Sequence, residues 1–296
     1  MCGFYFLCKQ NFLMQVKVNE QNYTVDTNES VGSVRDRIKA DADLLIVNGF
    51  PAEAETLLND DDQVILIKRG EIPDADELDA LLTARHTPGV HEVVKESTVG
   101  IAGVGGLGSA IAIALARTGI GHLIIADFDI VEPSNLNRQQ FFIDQIGLPK
   151  VYALRDTLAR INPHVRITAC HLRLTPTNIE EVFGHAQILA EAFDRADQKV
   201  MLIETFATRL PGRPIVTGSG MAGYGPANTV QTQEVADNLY LCGDGCTAAA
   251  PGTGLMAPRV GVAAHHQANA VLRLLLGHNP VRSLSDNKGR SESPEV

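Results

Sequence analysis

The run Gly103-Val104-Gly105-Gly106-Leu107-Gly108 carries the strongest chemical signal in this chain of 296 residues. Glycines spaced G-x-G-x-x-G let a chain turn tightly and bring backbone N–H groups close to a phosphate. They also open a helix whose N-terminus offers unpaired N–H groups to an anion. Asp127 lies 19 positions beyond Gly108, at the end of the next apolar run, where a carboxylate can accept both hydroxyls of a ribose. The competing reading is a glycine turn that serves only helix–strand packing. An apolar run before the motif, a helical pattern after it and the spaced acid favour a nucleotide site. An adenine nucleotide is the expected ligand, and the motif alone does not say which one.

Other reactive side chains are less telling. After Asp127 comes a long polar loop, Asp127-Phe128-Asp129-Ile130-Val131-Glu132-Pro133-Ser134-Asn135-Leu136-Asn137-Arg138-Gln139, where a dehydrogenase would continue into another short βα unit. That loop, and the lack of an evident hydride-transfer acid or base after it, count against an NAD-dependent oxidoreductase. Taken alone, Arg138 and Lys150 read as surface charges and Asp194 as a helix N-cap. Cys242 and Cys246 read as ordinary thiols in a glycine-rich loop. His265-His266 reads as a histidine pair on a buried or subunit-facing helix rather than a catalytic pair.

The elements that must position these groups follow from periodicity. Residues 14–25 alternate as a hairpin with a polar turn, 30–40 carry Val31, Val34 and Ile38 at helical spacing behind Ser30, and 44–47 and 63–67 are short apolar strands. Hairpin, helix, strand, strand is a β-grasp, or ubiquitin-like, outline for residues 14–70. Residues 74–84 are helix-forming, with Leu78, Leu81 and Leu82 on one face. From there strands at 98–103, 123–127, 166–171, 187–191 and 214–218 alternate with helices, the pattern of an open, Rossmann-like α/β sheet. A long amphipathic helix at 258–276 closes this second domain, 71–278, and the polar residues 279–296 are expected to be a disordered tail.

Composition narrows the function classes. The chain is 45% hydrophobic and 20% charged, near the globular average, and no stretch approaches the roughly 18 consecutive apolar residues of a membrane span. A net charge of −10 repels phosphate backbones and anionic lipids, so neither nucleic acid nor a membrane is the expected partner. Five cysteines are too few and too scattered for a secreted disulfide scaffold, which points to the cytoplasm. Residues 1–13 lack the basic region and cleavage site of a signal peptide, so Met14 reads as the translation start and the segment before it as an upstream extension.

Several motifs in order, GVGGLGS, the D-x-D-x-V-E-x-S-N-L-N-R-Q run, a downstream lysine, an acid after the fourth strand of the large domain and GLMAPRVG, resemble the ThiF/MoeB/E1 superfamily over about residues 78–276. That family adenylates the C-terminal carboxylate of ubiquitin-like proteins. The resemblance implies ATP and Mg2+ as cofactors, with Gly103, Gly105, Gly106, Gly108 and Asp127 binding the nucleotide. It also implies Arg138 and Lys150 as fixed cations on the phosphates, Asn135 as an amide donor to them and Asp194 as the Mg2+ ligand. Arg195 stands where the family usually has Asn. Arg85 roughly matches an arginine that some members reach into a partner subunit's ATP site, which implies a homodimer. Cys242-Gly243-Asp244-Gly245-Cys246 departs from the paired Cys-x-x-Cys of zinc-bearing members, so no structural zinc is expected. Cys242 is retained as a candidate for covalent attachment of the carrier.

The first domain resembles the sulfur carrier of thiamin synthesis, with a similar Val47-Asn48-Gly49 turn. It departs in one respect: Lys68-Arg69-Gly70 runs on into Glu71-Ile72-Pro73, and a carboxylate tied up in a peptide bond cannot be adenylated. The substrate implied is therefore a separate ThiS-like carrier ending in Gly-Gly, and Met221-Ala222-Gly223-Tyr224-Gly225 resembles the thiamin branch. Competing readings are a molybdopterin-branch enzyme, an E1-like dehydratase of a tRNA base, and a non-catalytic adaptor whose fused pseudo-carrier fills the carrier groove.

Overall fold

Alternation of apolar and polar side chains builds the first elements. In β1 (Leu13–Val18) the side chains of Met14, Val16 and Val18 are buried, while Leu13 and Gln15 face solvent, the period of two of a half-buried strand. β1 pairs antiparallel with β2 (Gln21–Asp26). Ser30 then caps α1 (Val31–Ile38), its hydroxyl accepting from the Ser33 N–H at 3.3 Å. β3 (Leu44–Val47), the short β4 (Phe50–Pro51) and β5 (Gln63–Ile67) complete a sheet of order β2-β1-β5-β3-β4, with β5 parallel to β1. Val16, Val31, Val34, Leu45 and Leu66 are among the side chains of its core. This is the β-grasp outline expected from the patterning.

The computed structural model describes residues 13–19, 21–71, 78, 81 and 89–282. Most of the helix expected at 74–84, Arg85, and residues 283–296 of the expected tail lie outside the described residues. The chain divides into two units, one running to Pro88 and the other starting at Gly89.

The second unit runs α2 (Val90–Lys95), β6 (Thr98–Ala102), α3 (Gly106–Arg117), β7 (His122–Asp127), α4 (Lys150–Ile161), β8 (Arg166–His171), α5 (Ile179–Phe183), β9 (Ile188–Glu191), α6 (Ala196–Arg209), β10 (Ile215–Gly218), β11 (Gln231–Ala236), β12 (Leu239–Gly243) and α7 (Ala257–Leu275). Its sheet has the order β11-β12-β10-β9-β6-β7-β8. All neighbours are parallel except β11, which closes one edge antiparallel to β12. Central strands of such a sheet are buried on both faces and so read as continuous apolar runs. Val99, Ile101, Leu123 and Ile125 pack beneath α3, α4 and α7, whereas Ala102, Ile124 and Ala126 pack beneath α5 and α6. At Gly100 a Cβ would stand 2.6 Å from the Phe183 ring, so the absence of a side chain there seats α5 against the sheet.

From β6 the chain steps outward to β7 and β8, then crosses back to lay β9 on the other side of β6. Open α/β sheets bind ligands at such a reversal, outside the carboxyl ends of the strands. The strand expected at 98–103 stops at Ala102 because Gly103 takes a φ of +86°. β11, β12 and α2 are additions to the sequence reading: β11 is polar and largely exposed, and carries no apolar alternation to find it by. Among the described residues, no helix is long and apolar enough to cross a membrane.

At the opposite end of the sheet His122 is buried between β7 and β8. Arg166 Nη2 donates to its Nδ1 at 2.8 Å, which leaves the proton on Nε2 to be donated to Thr168 Oγ1 at 2.8 Å. Burial, followed by the charges of Arg166 and His185, holds its pKa below the ordinary 6.5. Below that value the unfolded chain takes up a proton that the folded chain refuses, so the stability from this site is complete above 6.5 and is lost as pH falls through the folded pKa. A His122→Gln variant should lose part of the pH dependence of its urea midpoint between about pH 5 and 7.

Candidate active site

The glycine loop connects β6 to α3 through contacts that only glycine permits. Gly103 turns with positive φ while its N–H donates to the Ala126 carbonyl at 2.8 Å. A Cβ on Gly108 would lie 1.9 Å from the Gly103 carbonyl oxygen, so the first turn of α3 rests directly on the loop. α3 begins at Gly106 with Gly105 as its N-cap and no side-chain cap. Its first-turn N–H groups are therefore left to an incoming anion.

Asp127, at the end of β7, secures this loop. Its Oδ2 accepts from the Val104 N–H at 2.8 Å and its Oδ1 from the Asp129 N–H at 2.9 Å. A carboxylate has about four lone-pair positions, so both oxygens retain capacity for ribose hydroxyls. Burial pushes its pKa up, opposed by the two N–H groups and the nearby Lys150 charge. Lys150 is 6% exposed at the start of α4, where a helix dipole disfavours a cation. The Asp129 carboxylate, 2.9 Å from its Nζ, compensates.

The polar loop folds back over the helix start. Asn135 is buried and its Oδ1 accepts from the Glu132 N–H at 3.0 Å, so the residue expected to serve phosphates also caps its own turn. Arg138 Nη1 donates to the Ser134 carbonyl at 3.1 Å and to Asn137 Oδ1 at 2.8 Å, and its Cγ is 3.5 Å from where a Gly106 Cβ would stand. Asp194 is exposed just beyond β9. Its turn touches the glycine loop: a Gly103 Cβ would meet the Ala192 carbonyl at 3.0 Å and the Phe193 ring at 3.1 Å. Arg195 is turned onto Asp197, 2.8 Å away.

The model of the ThiF family matches residues 80–291 and that of the ThiS-like ubiquitin family matches 14–70. The chain belongs to the ThiF family. It is 34% identical to the molybdopterin-synthase adenylyltransferase of Escherichia coli over 194 residues, 63% of this chain and 76% of that protein. It is 33% identical to the sulfur carrier protein ThiS adenylyltransferase of Bacillus subtilis over 199 residues, 64% and 57% of the two chains. In fold it is similar to the E. coli tRNA N6-threonylcarbamoyladenosine dehydratase solved with AMP, with a TM-score of 0.63 and 21% identity, covering 70% of this chain and 98% of that one. The E. coli and B. subtilis relatives matched in sequence are named adenylyltransferases, and the ThiF-family chain is an E1-like adenylyltransferase of that kind.

Asp194 suits Mg2+: it is an exposed hard-oxygen donor beside the loop that would hold phosphates. Among the described residues no group of three or more His, Cys, Asp or Glu could hold a metal, so nucleotide phosphates and water would complete the shell. His266 Nδ1 bonds Thr232 Oγ1 at 3.0 Å and His265 Nδ1 the Gly261 carbonyl at 2.8 Å, both on α7. Cys242 has to be corrected. It is the fully buried penultimate residue of β12, not a loop thiol, and burial lifts its pKa to about 11. A thiol so protonated and enclosed is no nucleophile.

Sequence reasoning passed over a second buried device. Arg259, from GLMAPRVG, and Asp244, from between the two cysteines, form an ion pair at 2.6 Å with side chains 5% and 8% exposed. Arg259 Nη1 also donates to the carbonyls of Gly225 and Pro226, both at 2.8 Å. Burial raises the Asp244 pKa, but the bonds from Thr247, Cys246 and Arg259 outweigh it and hold the carboxyl well below the usual range. The pair thus locks the 244–247 loop and the 225–229 segment to the start of α7.

Three outcomes follow for this ThiF-family site. Gly108→Ala drives a Cβ into the Gly103 carbonyl and should cost about 1–3 kcal/mol of stability together with ATP affinity. Gly105→Ala, whose Cβ meets nothing closer than 3.6 Å, should stay within about 1 kcal/mol of the parent by urea denaturation and still bind ATP more weakly. Asp244→Asn strands a buried guanidinium and should lower stability by about 3–5 kcal/mol in the same measurement.

Proposed function

We propose that residues 71–278 adenylate the C-terminal glycine carboxylate of a separate ThiS-like sulfur carrier, in the branch that builds the thiazole of thiamin. An oxygen of the carrier's carboxylate attacks the α-phosphorus of ATP, a new C–O–P bond forms, and the bond to the departing pyrophosphate breaks. Charge develops on the phosphate oxygens, and fixed donors aimed at it lower the barrier. The N–H groups at the start of α3 hold the phosphates, Arg138 offers a planar fork, and Lys150 a compact charge. Asp127 accepts from the ribose, Asn135 donates its amide, and Asp194 holds Mg2+, which when bound neutralises charge on the phosphates.

The observation that carries this reading is the contact of the Ala192-Phe193 turn with Gly103, which brings the Asp194 loop and the phosphate-binding loop to one reversal of the sheet. The named activities of the E. coli and B. subtilis relatives support the chemistry, and the Met221-Ala222-Gly223-Tyr224-Gly225 run and the ThiS-like match support the thiamin branch over the molybdopterin one. A cytoplasmic homodimer belongs to this reading, on the same family resemblance that makes Arg85 a candidate for the partner's ATP site. The fused domain, residues 14–70, is a docking or regulatory pseudo-carrier, since Gly70 continues into Glu71.

Carrier-dependent exchange of labelled pyrophosphate into ATP tests this reading. With a Gly-Gly-ended carrier and Mg2+ the full chain should exchange label, and Arg138→Ala or Asp194→Ala should each reduce the rate by about 100-fold or more. Absence of exchange with every such carrier tried would overturn the carrier assignment.

A further inference from the structure

Strand β9 ends in a buried carboxylate that the chemistry above does not use. Glu191 is 0% exposed. Its Oε1 accepts from the Phe193 N–H at 2.7 Å, and its Oε2 accepts from Lys199 Nζ on α6 and from the Thr217 hydroxyl on β10. Lys199 Nζ donates further to the Gly218 carbonyl at 2.9 Å, and the Glu191 carbonyl accepts from Gln267 Nε2 of α7 at 2.9 Å.

An apolar pair of similar size would hold α6 to the sheet with less desolvation. What the ion pair adds is direction. Donors from α6, from β10 and from the turn itself converge on one carboxylate, so the Phe193 amide has one place to go, and Asp194 is the next residue. On its other side the turn is tied to β6 by the Ala192 N–H, which donates to the Ala102 carbonyl at 2.9 Å.

We propose that Glu191 and Lys199, braced by Thr217, are positioning residues that hold Asp194 for a metal–nucleotide complex. The inference rests on the reading of Asp194 as the Mg2+ ligand. It concerns binding of metal and ATP, which needs no carrier.

The test compares ATP affinity of the full chain with and without Mg2+ by calorimetry, and follows hydrogen exchange of the Phe193 and Asp194 amides. Lys199→Met should cut the Mg2+-dependent gain in ATP affinity by about tenfold or more, towards that of Asp194→Ala, while metal-free ATP affinity stays within about twofold. Its Phe193 amide should exchange faster while those of β6 do not. Lys199→Arg should recover most of the gain. Thr217→Val, which removes one hydroxyl donor at equal volume, should give a smaller loss of the same kind, and it carries the test alone if Lys199→Met does not fold. A metal-dependent gain unchanged in Thr217→Val and in any folded Lys199→Met, even with a lower melting temperature, overturns the proposal, as does a parent chain or an Asp194→Ala variant showing that Asp194 contributes no gain. Intact metal-dependent binding without carrier-dependent exchange counts against the carrier reading and leaves this inference standing.

Discussion

Contact between the Cα of Gly108 and the carbonyl of Gly103 is the constraint on which the nucleotide-binding unit is built. It forces α3 to begin directly at the end of β6, and the buried faces of α3 then have nowhere to go but under α7 and against the sheet. Asp127 completes the arrangement from the neighbouring strand by taking the Val104 N–H. The loop is thereby fixed by one steric absence and one carboxylate, and neither depends on a ligand being bound.

Buried charge is distributed unevenly in this molecule. Lys150–Asp129, Lys199–Glu191 and Arg259–Asp244 all lie at or just beyond the carboxyl ends of strands, where loops must hold shapes that apolar packing does not specify. Two pairs of the β-grasp unit are of another kind. Lys68–Asp41 and Arg69–Asp43 are open to solvent and contribute little to stability. There, the fold rests on its valine and leucine core.

Local signals were legible in advance. Ser30 before an apolar helical spacing, the glycine loop between a strand and a helix, and Asp127 at the next strand end each depend on neighbours within a few residues or on a fixed spacing. What escaped depends on side chains that meet only after folding. Glu191 reads as a strand terminus and Lys199 as a helix surface residue until β10 brings Thr217 alongside. Cys242 looked like a loop residue because β11, its partner on one side, is a polar edge strand without apolar alternation. Asn135 was legible as an amide near phosphates, but its capping of the Glu132 N–H follows from a turn geometry that composition does not announce.

The pairing of Lys150 with Asp129 bears on which anions the site will accept. Lys150 is almost wholly enclosed, whereas the Asp129 side chain is 50% exposed, so the two partners are not equally free to let go. An anion arriving at this ammonium meets a cation already neutralised and must compete with a tethered carboxylate for it. A singly charged species gains little from that exchange. On the proposed phosphate-binding role of Lys150, a polyphosphate anchored at the same time by the N–H groups of α3 would bring the charge density needed to displace Asp129 towards water, where its solvation is largely waiting. In that role the ion pair would set a threshold that discriminates by charge before any base or sugar is recognised.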